Sequence, residues 1–100
     1  MNKYTLLKQY GYYVCHSNLS PHEVVAALHL RSNLASLSQT LNPKEKIELS
    51  RYDKLLLHCA ENMYQKGKQL YNFSNYNHVT LEWWWHLDRI VEGSLFVENL

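Results

Sequence analysis

Apolar positions along residues 43–71 recur at helical spacing. At about 100° per residue, Leu49, Tyr52, Leu56, Cys59, Ala60, Met63, Gly67 and Leu70 gather on one face. Arg51, Lys54, His58, Glu61, Asn62, Gln65 and Gln69 gather on the other. Gly67 falls on the apolar side, where it permits a close helix crossing or marks a frayed end. Residues 21–41 carry a wider apolar arc through Val24, Ala27, Leu28, Leu30, Leu34, Ala35, Leu37 and Leu41. That arc predicts a central helix covered on more than one side.

Each helix has a written start. Ser20-Pro21-His22-Glu23 and Asn42-Pro43-Lys44-Glu45 supply a cap, a proline at the first helical position and a Glu at the third. The cap oxygen accepts an unpaired backbone N–H, and the Glu reaches back to the cap's own N–H. A third helix is expected over about 80–92, with Thr80 as a cap and Gly93 as the stop. On it Trp84, Leu87 and Val91 share a face, which favours helix over the strand that Val79–Trp85 would otherwise suggest. Tyr71–Asn77 reads as an ordered loop, its Asn and Ser residues favouring turns and its aromatics docking on the body. A short helix over Thr5–Tyr10, ended by Gly11, precedes an extended Tyr12–Cys15. The prediction is an all-α fold: a small bundle of three main helices (about 21–41, 43–70 and 80–92) with a short N-terminal helix or extended arm, in a single helical domain over residues 1–100.

Composition changes this picture little. The 100 residues are 46% hydrophobic, 13% aromatic and only 19% charged, which supplies one core and argues against disorder. The net charge of +1 excludes a whole-molecule field toward nucleic acid or an anionic membrane. Cys15 and Cys59 form no disulfide framework. Lys8 and Gln9 interrupt the start before an apolar signal core develops, and no run approaches the ~20 apolar residues of a membrane span. A cytoplasmic, non-membrane protein is expected.

Three consecutive tryptophans are the strongest lead. On a helix they point in different directions, so Trp84 enters the core, Trp83 flanks it toward Ile90, and Trp85 falls among Glu82, Asp88, Arg89 and Glu92. An exposed Trp with an Arg one turn on has the composition of an interface hot spot; the competing reading covers Trp85 with the N-terminal segment or the 71–77 loop. Arg31 is the one cation inside the apolar arc of 21–41. It snorkels, pairs with an acid such as Glu92 or Glu98, or meets a partner. Trp85, Arg89, Trp83 and Arg31 are thus the candidate partner-binding residues.

Other chemistry is thinner. Cys15, His16, His22, His58 and Cys59 lack zinc spacing, and neighbouring His58 and Cys59 diverge on their helix, so no metal site and no cofactor is expected. Glu82, His86 and Arg89 read as a surface salt-linked cluster without a nucleophile. No Gly-rich phosphate loop occurs, and no catalytic residue is assigned.

Arg51 and His58 stand at Arg-x6-His spacing, with Tyr52 following the Arg. The pair resembles the motif of HEPN-domain ribonucleases, all-helical proteins whose Arg and His cleave RNA. The resemblance covers those two residues. It implies a dimer that brings two pairs together and cleavage lost on His58→Ala.

The leading expectation is a non-enzymatic protein-binding module (an adaptor, inhibitor, immunity-type or regulatory protein) whose partner is another protein or a second copy. The HEPN-like ribonuclease is the first alternative. A nucleic-acid regulator using Lys44, Arg51, Lys54 and Lys68 is the second, set lower because the field is weak.

Overall fold

A computed structural model of the chain describes residues 2–16, 18–75 and 82–97. Among these the regular structure is all helical: α1 (Lys3–Val14), α2 (Pro21–Ser36), α3 (Pro43–His58), α4 (Ala60–Gly67) and α5 (Leu87–Glu92), with short 3₁₀ turns at Ser38–Thr40, Phe73–Asn75 and Trp83–Trp85. The small all-α bundle is as expected, with its helices cut differently.

Both capping boxes form. Glu23 N–H donates to Ser20 Oγ at 3.2 Å, and Ser20 N–H to Glu23 Oε1 at 2.9 Å. Glu45 N–H donates to Asn42 Oδ1 at 2.8 Å, and Asn42 N–H to Glu45 Oε1 at 2.9 Å. The backbone donor at each cap holds its Glu carboxyl below the ordinary range. Gly93 ends α5 in the left-handed region at φ 81°, a conformation open to glycine without the Cβ clash.

The expected long helices are interrupted. The first leaves the α form after Ser36 and finishes as a 3₁₀ turn. The second divides at Cys59, whose φ of −101° and ψ of 16° end one helix and start the next. The third is two pieces, a 3₁₀ turn over the tryptophans and a six-residue α5, so Val91 is exposed rather than sharing the buried face of Trp84 and Leu87. Thr80, its expected cap, lies outside the described residues, as does the 76–77 end of the predicted loop.

The N-terminal segment is the reverse case. It is one helix that runs through Gly11 to Val14. A Cβ at Gly11 would lie 2.4 Å from the Tyr52 ring, so the missing side chain seats α3's tyrosine against α1. Helix pairing is parallel here: Lys3 meets Glu45 at 3.3 Å, Lys8 lies near Glu48, and Gly11 meets Tyr52. Gly67 likewise allows close approach, since its Cβ would stand 3.2 Å from both Val24 and Phe73. One buried cluster joins Leu6, Leu7, Tyr10 and Val14 of α1 to Val24, Leu28 and Leu34 of α2, Leu49 and Leu56 of α3, Met63 of α4 and the three tryptophans.

Candidate functional site

The residues singled out for partner binding are mostly turned inward. Trp85 is 1% exposed. Its ring lies 4.9 Å from both His29 and Tyr71, so α2 and the segment after α4 cover it. Trp83 and Trp84 are also buried. A 3₁₀ turn advances about 120° per residue rather than 100°. The three indoles therefore point apart, and all are buried because the protein packs on more than one side of the turn: Arg31 over Trp84, and His29, Ser32 and Tyr71 against Trp85. The exposed tryptophan expected from a continuous helix is therefore absent, and the covered reading describes the molecule. His86 is buried as well and Glu82 half-buried, which replaces the expected surface cluster. Arg89 is half-buried on α5.

Arg31 organises a polar network inside the bundle. Its Nε donates to Asp53 Oδ1 at 2.8 Å and its Nη2 to Oδ2 at 3.1 Å, a two-point match of guanidinium to carboxylate. Tyr10 donates its hydroxyl to the same Oδ1 at 2.7 Å. The guanidinium carbon also sits 4.3 Å over the Trp84 ring. Asp53 of α3, and not Glu92, is thus the acid that holds Arg31; Glu98 lies outside the described residues. Burial pushes the Tyr10 phenol well above its ordinary pKa, and the facing Asp53 carboxylate pushes it further.

A second node is Ser32. Its hydroxyl accepts Nε1–H from Trp84 at 2.9 Å and from Trp85 at 2.7 Å, and donates to Glu82 Oε1 at 3.3 Å. One donor and two acceptor lone pairs are all a serine has. These interior groups tie α1, α2, α3 and the tryptophan turn into one register.

Two shallow clefts open at the surface. One of about 280 Å³ is bounded by Leu41, Lys46, Leu49 and Ser50, with Asp53 at its floor. Asp53 is already engaged by Arg31 and Tyr10 there. The other, about 360 Å³, lies between Tyr64, Lys68, Tyr71, Phe73 and Asp88. Burial raises the Tyr71 phenol above its ordinary pKa, with the nearby Asp88 adding to the effect. Among the described residues no group of three or more His, Cys, Asp or Glu is placed to hold a metal ion. No helix there is long and apolar enough to cross a membrane.

The outward surface is most distinctive on α1 and α3. On α1, Tyr4, Lys8 and Tyr12 follow at four-residue steps, with His16 just past its end, and all are exposed except for the contacts they make with one another. Lys8 Nζ stands 4.9 Å from the Tyr4 ring centre, and the Tyr12 and His16 rings are 4.1 Å apart. On α3 the exposed positions after the first residue are Lys44, Lys46, Ile47, Arg51, Lys54, Leu55 and His58. None is a carboxylate. The three acids of α3 are held elsewhere: Glu45 by Lys3 and its cap, Glu48 by the Tyr52 hydroxyl at 2.7 Å, and Asp53 by Arg31. The bond donated to Glu48 pushes the Tyr52 phenol up to about 12. Sequence reading placed Arg51, Lys54 and His58 on this strip, but missed that Ile47 and Leu55 share it and that α1 extends it.

Comparisons of the chain with protein-family models, curated proteins and solved structures find no match.

Proposed function

We propose that this chain is a protein-binding module that works without chemistry of its own, and that its contact surface is the α1–α3 face. One observation carries the reading. Large apolar side chains stand exposed there, Tyr12 at 58% and Ile47 at 64%, with Tyr4 and Leu55 beside them. Meanwhile the most conspicuous aromatics, the tryptophans, are spent inside. Leu70, Val91 and Phe96 are exposed too, but each stands on a different segment. Tyrosine and arginine are the residue types that dominate contact energies in protein interfaces, and Tyr12, Tyr4 and Arg51 supply them on adjacent helices. A rigid interior network beneath the face suits this role, because a pre-ordered surface loses less entropy on association. The module would act as an adaptor, inhibitor or regulatory subunit.

The test is an affinity capture from nuclease-treated native lysate. It compares wild type with Tyr12→Glu and Ile47→Glu, both at exposed positions that leave the core untouched. A single stoichiometric protein, retained by wild type and lost by both variants, is the expected result. Equal recovery by all three proteins would place the contact elsewhere and overturn the assignment of this face.

A further inference from the structure

The same face has a sign. We infer that its partner presents an acidic, amphipathic protein segment: apolar anchors for Ile47, Leu55 and Tyr12, flanked by carboxylates for Arg51 and its neighbouring lysines. The inference rests on the binding reading above and adds the chemistry of the partner.

Between Pro43 and His58 the sequence carries acids and bases in near balance. Folding sorts them: each of the three carboxylates is engaged by a group inside the chain, while Lys44, Arg51 and Lys54 remain exposed on the side of Ile47 and Leu55, and Lys46 lines the cleft with Leu49 and Ser50. α1, which lies alongside, contains no acid at all, and its Lys8 is exposed. A weakly charged chain thus displays a locally cationic face. Electrostatic complementarity then selects an anionic partner and speeds the encounter.

Apolar anchors separate the anionic partners. Ile47 and Leu55 stand two turns apart with Arg51 between them, one turn from each. A phosphate backbone offers nothing to cover an aliphatic pair, whereas an amphipathic segment offers apolar side chains at matching spacing. A lipid surface needs one continuous apolar strip with charges along its border; here the guanidinium interrupts the strip. A second copy of this chain would meet the face with like charge, which opposes a symmetric dimer through it.

The test uses a synthetic 20-residue helical peptide with Leu and Phe at i, i+3, i+4 and i+7 and Glu elsewhere. Versions with Gln or Lys in place of Glu, a poly-uridine oligonucleotide and phosphatidylserine vesicles accompany it. Binding to the full-length protein is followed by tyrosine and tryptophan fluorescence or anisotropy. The Glu peptide should bind best, and its affinity should fall roughly tenfold between about 50 and about 500 mM salt. Arg51→Glu together with Lys54→Glu should abolish that binding and gain the Lys peptide, a reversal that misfolding cannot produce. Equal binding of the Glu and Gln peptides would overturn the acidic partner while leaving the apolar docking face. Preference for the oligonucleotide or the vesicles, or binding of no probe, would overturn the inference. The lysate capture with Tyr12→Glu and Ile47→Glu decides separately whether the underlying face is right.

Discussion

Removing the Ser32 hydroxyl tests whether the tryptophan turn is held by polar contacts as well as by packing. Ser32→Ala deletes one oxygen that accepts two indole N–H groups, at 2.9 Å from Trp84 and 2.7 Å from Trp85. Both indoles are buried, and a buried donor left without its acceptor costs about 1–3 kcal/mol. Two such donors sum to roughly 2–6 kcal/mol, and the lower half applies, because neighbouring effects are not additive and Ser32 is only half-buried. Alanine's better helix propensity returns about 0.5 kcal/mol. The net loss is therefore about 2–3 kcal/mol, out of the 5–15 kcal/mol typical of a domain. That corresponds to a fall in Tm of roughly 10–20 °C at this length. Urea unfolding followed by tryptophan fluorescence measures it directly. Ser36→Ala serves as a control, since Ser36 is exposed and its hydroxyl donates only to Asn33 O. A Ser32→Ala protein as stable as that control would refute the network and reduce the turn to shape-filling alone.

Further outcomes follow from the interior and from α3. Asp53→Ala leaves the part-buried Arg31 charge without its carboxylate and should cost about 2–4 kcal/mol, whereas Asp53→Leu with Arg31→Met should recover most of it; chemical denaturation of the three proteins decides. Raised phenol pKa values set an alkaline limit. Tyr10 lies well above its ordinary value of 10.0 and Tyr52 at about 12, so their contribution is intact below pH 10 and is lost as pH rises past it. Thermal unfolding across this range should show a shallower decline in Tyr10→Phe than in wild type. Arg51 and His58 are both exposed, and His58 is the last residue of α3; purified protein should leave single-stranded RNA uncut, and cleavage lost on His58→Ala would establish the ribonuclease reading instead.

Helix starts were legible in the sequence because they are local. Ser20–Glu23 and Asn42–Glu45 each close their hydrogen bonds within four residues. Interruptions were not, because tertiary contacts decide them. Gly11 resembles a stop signal until Tyr52, from a helix more than thirty residues later, is seen to occupy the space of its missing side chain. The tryptophans misled for a related reason. At either helical pitch the three point apart, and it is the cover that α2 (His29, Ser32) and Tyr71 lay over the turn that puts Trp85 inside.

Part of the buried network was nonetheless visible. Arg31 stands out in the sequence as a cation inside an apolar arc. Asp53 is its counterpart, falling between Leu49 and Leu56 on the apolar border of α3. An acid on one helix and a base on another, each out of place, signal a buried pair; reading the helices separately hides it. The cationic face was hidden by the same coupling. In sequence Glu45, Glu48 and Asp53 dilute the lysines of α3, and only the fold engages them, Glu45 with Lys3, Glu48 with the Tyr52 hydroxyl and the buried Asp53 with Arg31.

Contact between the α1–α3 face and a partner protein can be caught in place. Site-specific photo-crosslinking in the native cell tests it most directly, with a benzophenone amino acid placed in turn at Tyr12, Ile47 and Val91. All three positions are exposed, and Val91 lies on α5, away from the face. One protein adduct of the same mass is expected from positions 12 and 47 and none from position 91. An adduct from position 91 alone, or nucleic acid in place of protein at 12 and 47, would contradict it.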